Sequence, residues 1–92
     1  MMVCVVCNIP EKWQGYFTVP KAKMHGFPDK NTFVRIIYND EEYSVKFYVR
    51  DSHYDFSCLT NLFKENKDLS VVQKVRVCII KKDEIFRLEI VE

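Results

Sequence analysis

Tyr43-Ser44-Val45-Lys46-Phe47-Tyr48-Val49-Arg50 is the stretch on which the fold turns. Successive side chains of a β-strand point to opposite faces. The alternation therefore places Tyr43, Val45, Phe47 and Val49 on one side and Ser44, Lys46, Tyr48 and Arg50 on the other. Residues 42–50 are expected to form a strand with one apolar face for a core and one basic, aromatic face for solvent or a partner.

Working outward, Thr32–Tyr38 is a second apolar run rich in β-branched residues, and Asn39-Asp40-Glu41 between the two has turn chemistry, so they form a hairpin. A second hairpin is expected from residues 73–81 and 85–91 about Lys82-Asp83-Glu84, with Val75, Val77, Ile79, Phe86, Leu88 and Ile90 facing inward. Residues 3–7 and 16–19 read as two further strands joined by a loop, and Pro20 opens one helical turn over 21–25. Ser57 is expected to cap a short helix that runs to Asn66, with Leu59, Leu62 and Phe63 at helical spacing and Asn66 in the left-handed conformation at its end.

The fold class that follows is mostly β, with one or two short helices. Seven short strands in so few residues cannot leave long open edges without inviting aggregation. A closed or nearly closed barrel, with the helix plugging an opening, is the economical arrangement. Residues 1–92 are expected to form one domain, because a chain of 92 residues cannot support two cores. Hydrophobic residues make up 48%, with seven Phe, five Tyr and two Gly, which suits a packed core and not a disordered chain.

The net charge is +1, so no global field draws the chain to phosphate or lipid. Segment by segment, residues 1–37 hold five basic and two acidic side chains, 38–56 two and five, and 57–92 seven and six. Any anionic partner must be met by a local patch. No apolar run approaches the roughly 18 residues of a membrane span, and the start lacks the marks of a signal peptide. Cys4, Cys7, Cys58 and Cys78 lie among apolar neighbours, as buried thiols do. A reducing cytoplasm is expected, or a nucleus if the source is eukaryotic, with no membrane partner.

Several chemistries are unsupported. Cys4 and Cys7 have the spacing of a zinc half-site, but residues three apart on a strand face opposite ways. Pro28-Asp29 with Glu65-Asn66-Lys67 spells the pattern of metal-dependent nucleases, yet Glu65 and Lys67 fall at a helix end and not on a strand beside the aspartate. Neither His25 nor His53 adjoins a nucleophile motif, and two glycines cannot build a phosphate loop. No catalysis, metal or cofactor is expected.

Polar and aromatic chemistry gathers on two loops. The first offers Asn8, Glu11, Lys12, Trp13 and Gln14, which can read base edges beside an indole able to stack or wedge. The second offers Lys46, Tyr48, Arg50, Asp51, Ser52, His53 and Tyr54, where Arg50 can grip guanine or phosphate and Tyr48 can support it by stacking.

Three further pieces carry a family resemblance. Phe17-Thr18-Val19-Pro20-Lys21, Leu62-Phe63-Lys64-Glu65-Asn66 and Leu69-Ser70-Val71-Val72-Gln73-Lys74-Val75, in this order, resemble motifs of the DNA-binding pseudobarrel family. That family comprises the plant B3-type transcription factor domains and the related target-recognition domains of some bacterial restriction endonucleases. The chain departs from it at Val72-Gln73, where the family has Gly-Asp, and around Phe56-Ser57-Cys58, where a Trp usually precedes the helix. The resemblance implies a seven-stranded open pseudobarrel that grips the DNA major groove like a wrench, with residues 8–15 and 46–54 as its arms.

The expected function is sequence-specific recognition of double-stranded DNA by a non-catalytic monomer, with Lys21, Lys23 and Lys30 on phosphates. A nuclease or regulatory domain would be its associate. The alternative is a protein-interaction barrel. A third reading is a single-strand or RNA-binding barrel that stacks bases on Tyr48, Tyr54 and Trp13.

Overall fold

Asn39 and Asp40 both adopt positive φ, 54° and 66°, which is the twist a two-residue hairpin turn requires. The computed structural model describes residues 3–8, 16–21, 26–72 and 74–91. The Asn39-Asp40 turn joins β3 (Thr32–Tyr38) to β4 (Glu41–Val49), in a register that sets Tyr38 opposite Glu41 and Val34 opposite Val45. Glu41 thus belongs to the strand and not to the turn. The expected alternation along β4 holds: Val45 and Phe47 are buried and Tyr43 and Val49 half-buried, while Ser44 and Lys46 are exposed.

Five more strands complete the sheet: β1 (Cys4–Asn8), β2 (Phe17–Pro20), β5 (His53–Ser57), β6 (Lys74–Lys81) and β7 (Ile85–Ile90). Their order is β1-β6-β7-β3-β4-β5-β2. Neighbours pair antiparallel except β3 with β7, which run parallel. The edge strands β1 and β2 approach each other without forming a ladder among the described residues, so the sheet nearly closes. This is a mostly β, seven-stranded open barrel.

The interior is aromatic. Phe17, Phe47, Phe56 and Phe86 are each fully buried, and Phe27 joins them from the segment before β3. Phe56 stacks on Phe17 at 5.0 Å between ring centroids and meets Phe47 and Phe86 edge-on at 5.2 and 5.6 Å. Such offset and edge-to-face pairs are the favoured aromatic geometries. Leu59, Leu62 and Leu69 add aliphatic packing from the helical segment.

That segment corrects two expectations. Ser57 ends β5 and caps nothing; Cys58 turns the chain at φ 63°, and α1 (Thr60–Glu65) begins after Leu59 with no side-chain cap. Asn66 ends the helix at φ −130°, not left-handed, and uses its side chain instead, donating from Nδ2 to the Leu62 carbonyl at 2.9 Å and to the Tyr43 hydroxyl at 3.0 Å. A 3-10 turn over Lys67–Val71 then leads to Val72, which is extended at φ −86°. The helical turn expected over 21–25 lies outside the described residues except for Lys21.

The cysteines differ from expectation as well. Cys4 and Cys78 face each other across β1 and β6 and are joined as a disulfide, and Cys58 is exposed; only Cys7 is a buried thiol. Burial pushes the Cys7 thiol up to about 11, because its thiolate would lie in apolar surroundings. On β1, Cys4 is exposed and Cys7 buried, as strand geometry demands of residues three apart. No helix among the described residues is long and apolar enough to cross a membrane.

The Tyr38 hydroxyl donates to Asp68 Oδ2 at 2.6 Å, tying β3 to the 3-10 turn. Burial, together with that carboxylate, pushes Tyr38 up to about 12 from its usual 10. A folded-state value above the unfolded one means that this contribution to stability is intact below pH 10 and is lost as pH rises through 12. Alkaline titration of folded protein is expected to show a stability loss in that window, and Tyr38→Phe should flatten it. An unchanged profile in the variant would assign the loss to other groups.

Candidate nucleic-acid interface

The second predicted loop is a tight hairpin. Lys46 to Val49 belong to β4, His53 to Ser57 form β5, and the turn is closed by the Arg50 N–H on the His53 carbonyl at 2.9 Å. Alternation in β5 went unnoticed in the sequence because His53, Asp55 and Ser57 are polar on one face, with only Tyr54 and Phe56 marking the other. Residues 46–49 and 53–54, read as parts of a loop, are thus held by the sheet.

On the outward face, Tyr48 pairs with Asp55, and Asp55 with Thr18 of β2. Asp55 accepts from Arg50 Nε at 2.9 Å through Oδ2. Its Oδ1, a buried atom outside hydrogen-bond geometry with any group, lies 3.2 Å from His53 Nε2. The guanidinium of Arg50 stands 4.9 Å from the centroid of the Tyr48 ring. An ion pair with one half-exposed partner contributes at most about 1 kcal/mol, so the carboxylate orients Arg50 more than it stabilises the fold. The terminal amines of Arg50 make no hydrogen bond among the described residues, and its side chain is 51% exposed. That leaves the half of the fork that can grip a planar, two-acceptor partner.

Other candidates gather at the same turn. Ser52 Oγ lies 3.3 Å from His53 Nδ1, the Ser52 carbonyl accepts from the Lys21 backbone N–H at 3.2 Å, and the Lys21 ammonium sits 5.7 Å from the Tyr54 ring centroid. Asp51 is exposed at the tip, and Lys46 is exposed on the outer face of β4. Tyr54 is the exception. It is half-buried and points inward, 5.0 Å from Phe27 and 5.2 Å from Phe47 by ring centroids, so its ring packs against the core and not outward as the third reading wanted.

Asn8 ends β1 opposite Lys74, apart from this cluster in the sheet order. Glu11, Lys12, Trp13, Gln14 and Lys23 lie outside the described residues. Lys30 is exposed, and its neighbour Asn31 accepts from the Val49 N–H at 2.8 Å, fixing the segment beside β4. Asp55 is the residue sequence reasoning missed. Its signal was available: a carboxylate five positions past Arg50 across a short turn, on the polar side of an alternating pair.

Charge is segregated along β4. Asp40, Glu41 and Glu42 occupy one end, where Glu42 pairs with Arg35 at 3.7 Å, whereas Lys46 and Arg50 occupy the other. A groove of about 390 Å³ near the acidic end is lined by Glu41, Glu42 and Glu65. Among the described residues no three His, Cys, Asp or Glu side chains gather to hold a metal ion, and Asp29 with Glu65 makes no such group. No family model, curated protein or solved structure matches the chain.

Proposed function

We propose that the chain reads double-stranded DNA through the β4–β5 hairpin and the segment between β1 and β2, as a recognition domain of the pseudobarrel kind without catalysis of its own. The observation that carries this reading is the oriented Arg50, held by Asp55 through Nε and flanked by Tyr48, with its terminal amines still available. That is the arrangement a bidentate contact to guanine O6 and N7 requires.

The placement of the second arm's partner supports it. The chain re-enters the sheet at Phe17, which pairs with Phe56, while Pro20 pairs with His53 at the hairpin turn. Three strand steps separate the two points, about 10 Å at 3.3 Å per residue. The major groove is about 12 Å wide, so anchor points at this separation suit two arms that enter one groove. With Asp40, Glu41 and Glu42 at the far end of β4 and Asp55 engaged by Arg50, a chain of near-zero net charge can meet phosphate at this end, where Asp51 is the exposed acid. Any nuclease or regulatory activity would come from an associated domain.

Selection from a random duplex library, followed by anisotropy of the winner and a scramble at two salt concentrations, tests this. The expected result is an enriched short motif, bound more tightly than the scramble and more weakly as salt rises. Arg50→Ala should cost about 1–3 kcal/mol, roughly 5- to 150-fold in affinity, and relax preference at one base pair. Affinity within error of the wild type would remove Arg50 from the interface, and the absence of both enrichment and salt-sensitive binding would sink the DNA reading in favour of a protein partner.

A further inference from the structure

Phe33 is 66% exposed near the start of β3, whereas Phe17, Phe27, Phe47, Phe56 and Phe86 are buried. A single exposed apolar residue is ordinary on a protein surface. Phe33 is not single. It pairs directly with Lys46, whose ammonium lies 5.9 Å from its ring centroid, and Tyr48 follows two positions along the same face of β4. Residues in that diagonal relation lie about 7–8 Å apart, within reach of large side chains. Between them is a groove of about 200 Å³ lined by Asn31, Thr32, Phe33, Lys46, Phe47 and Tyr48. Space of about 150 Å³ accommodates a benzene-sized ring.

From this we infer that the outer wall of β3 and β4 is a binding site for single-stranded nucleic acid, with one unpaired base in the groove against Phe33 and the next on Tyr48. Every base has a π face, so aromatic platforms bind strands without needing base edges, and cations beside them take the backbone. Lys46 and Arg50 supply those cations, each already alongside one of the two rings. The charge favours this occupant: of the acidic residues beside the strip, Asp55 is engaged by Arg50, and Glu84, which shares a groove with Phe33, is engaged by Lys81, while Asp51 stands at the turn. An acidic peptide would use the cations and an apolar one the rings, whereas a nucleic-acid strand uses both. The site shares Tyr48 and Arg50 with the duplex-reading surface but does not rest on that reading, since Phe33 lies on β3, away from the hairpin turn.

The test is anisotropy of a labelled twelve-residue thymidine strand, and of a strand of equal length and charge built from abasic residues, against wild type and Phe33→Ala. Residue 33 is exposed, so truncation there leaves the core intact. Wild type is expected to prefer the thymidine strand, and Phe33→Ala to weaken that strand about 5- to 150-fold while leaving the abasic strand unchanged. Equal binding of the two strands by wild type would overturn the site, as would a Phe33→Ala protein indistinguishable from wild type on thymidine. A duplex selected for binding serves as the separate arm: its affinity should not change in Phe33→Ala, and failure of wild type to bind any duplex would count against the duplex reading alone.

Discussion

Phe56→Ala is expected to lower stability by about 3–5 kcal/mol, the range for removing a fully buried aromatic ring. For a domain of this size each kcal/mol moves the thermal midpoint by about 4–8 °C, so the melting temperature should fall by on the order of 12–40 °C. The physical reason is position. Phe56 sits at the centre of the aromatic core, in contact with Phe17, Phe27, Phe47 and Phe86, and is fully buried. It also pairs through its backbone with Phe17 on one side and Phe47 on the other, so the cavity would lie where three strands meet and none can shift inward alone. Urea unfolding followed by circular dichroism measures the change. A loss under 1 kcal/mol would mean that the ring cluster is not the mechanical centre of the barrel.

Opening the Cys4–Cys78 disulfide should have an effect of comparable size. The two residues are 74 positions apart, so the bond closes most of the chain into one loop. The chain-entropy account assigns a loop of that length about 4 kcal/mol, through restriction of the unfolded state. Denaturation with and without a dithiol reductant, and of the Cys4→Ser/Cys78→Ser variant in oxidising buffer, should give the same shift. Thiol counting is the companion measurement. The native oxidised chain should alkylate rapidly at the exposed Cys58 and slowly at the buried Cys7, with two further thiols appearing only after reduction. Four thiols without reductant, or a midpoint indifferent to reductant, would contradict the bond.

Much of the barrel was legible because two hairpins wrote themselves in alternation. In β4 the apolar period of two is uninterrupted, and Asn39-Asp40 supplies residues that tolerate positive φ. β6 and β7 were legible for the same reason, with Asp83 turning at φ 65° and the Glu84 N–H closing on the Lys81 carbonyl at 3.1 Å. β5 was not legible, since its outward residues His53, Asp55 and Ser57 look like loop composition and only pairing with β2 and β4 makes them a strand. The disulfide was hidden for a related reason: Cys4 and Cys78 become opposite residues only when β1 pairs with β6, a register no local pattern specifies. The candidate interface was half visible. Arg50 and Tyr48 stood out by residue type, but Asp55 and Phe33 matter through neighbours that the sheet brings from elsewhere in the chain.

The parallel contact between β3 and β7 bears on how such a chain acquires its shape. β3, β4 and β5 are consecutive and can zip as local hairpins, as can β6 with β7. Joining the two groups, however, requires Ile36 to find Phe86, and placing β1 requires Val5 to find Val77. Loop-closure entropy must be met before those distant pairings return anything, and topologies dominated by them fold in milliseconds to seconds, not microseconds. The last pairings to form would then be those that bring β1 and β7 into the sheet. A chain emerging from the ribosome cannot complete the barrel until residues 85–90 are free, and until then the outer edge of β3 stands open, with Phe33 beside it.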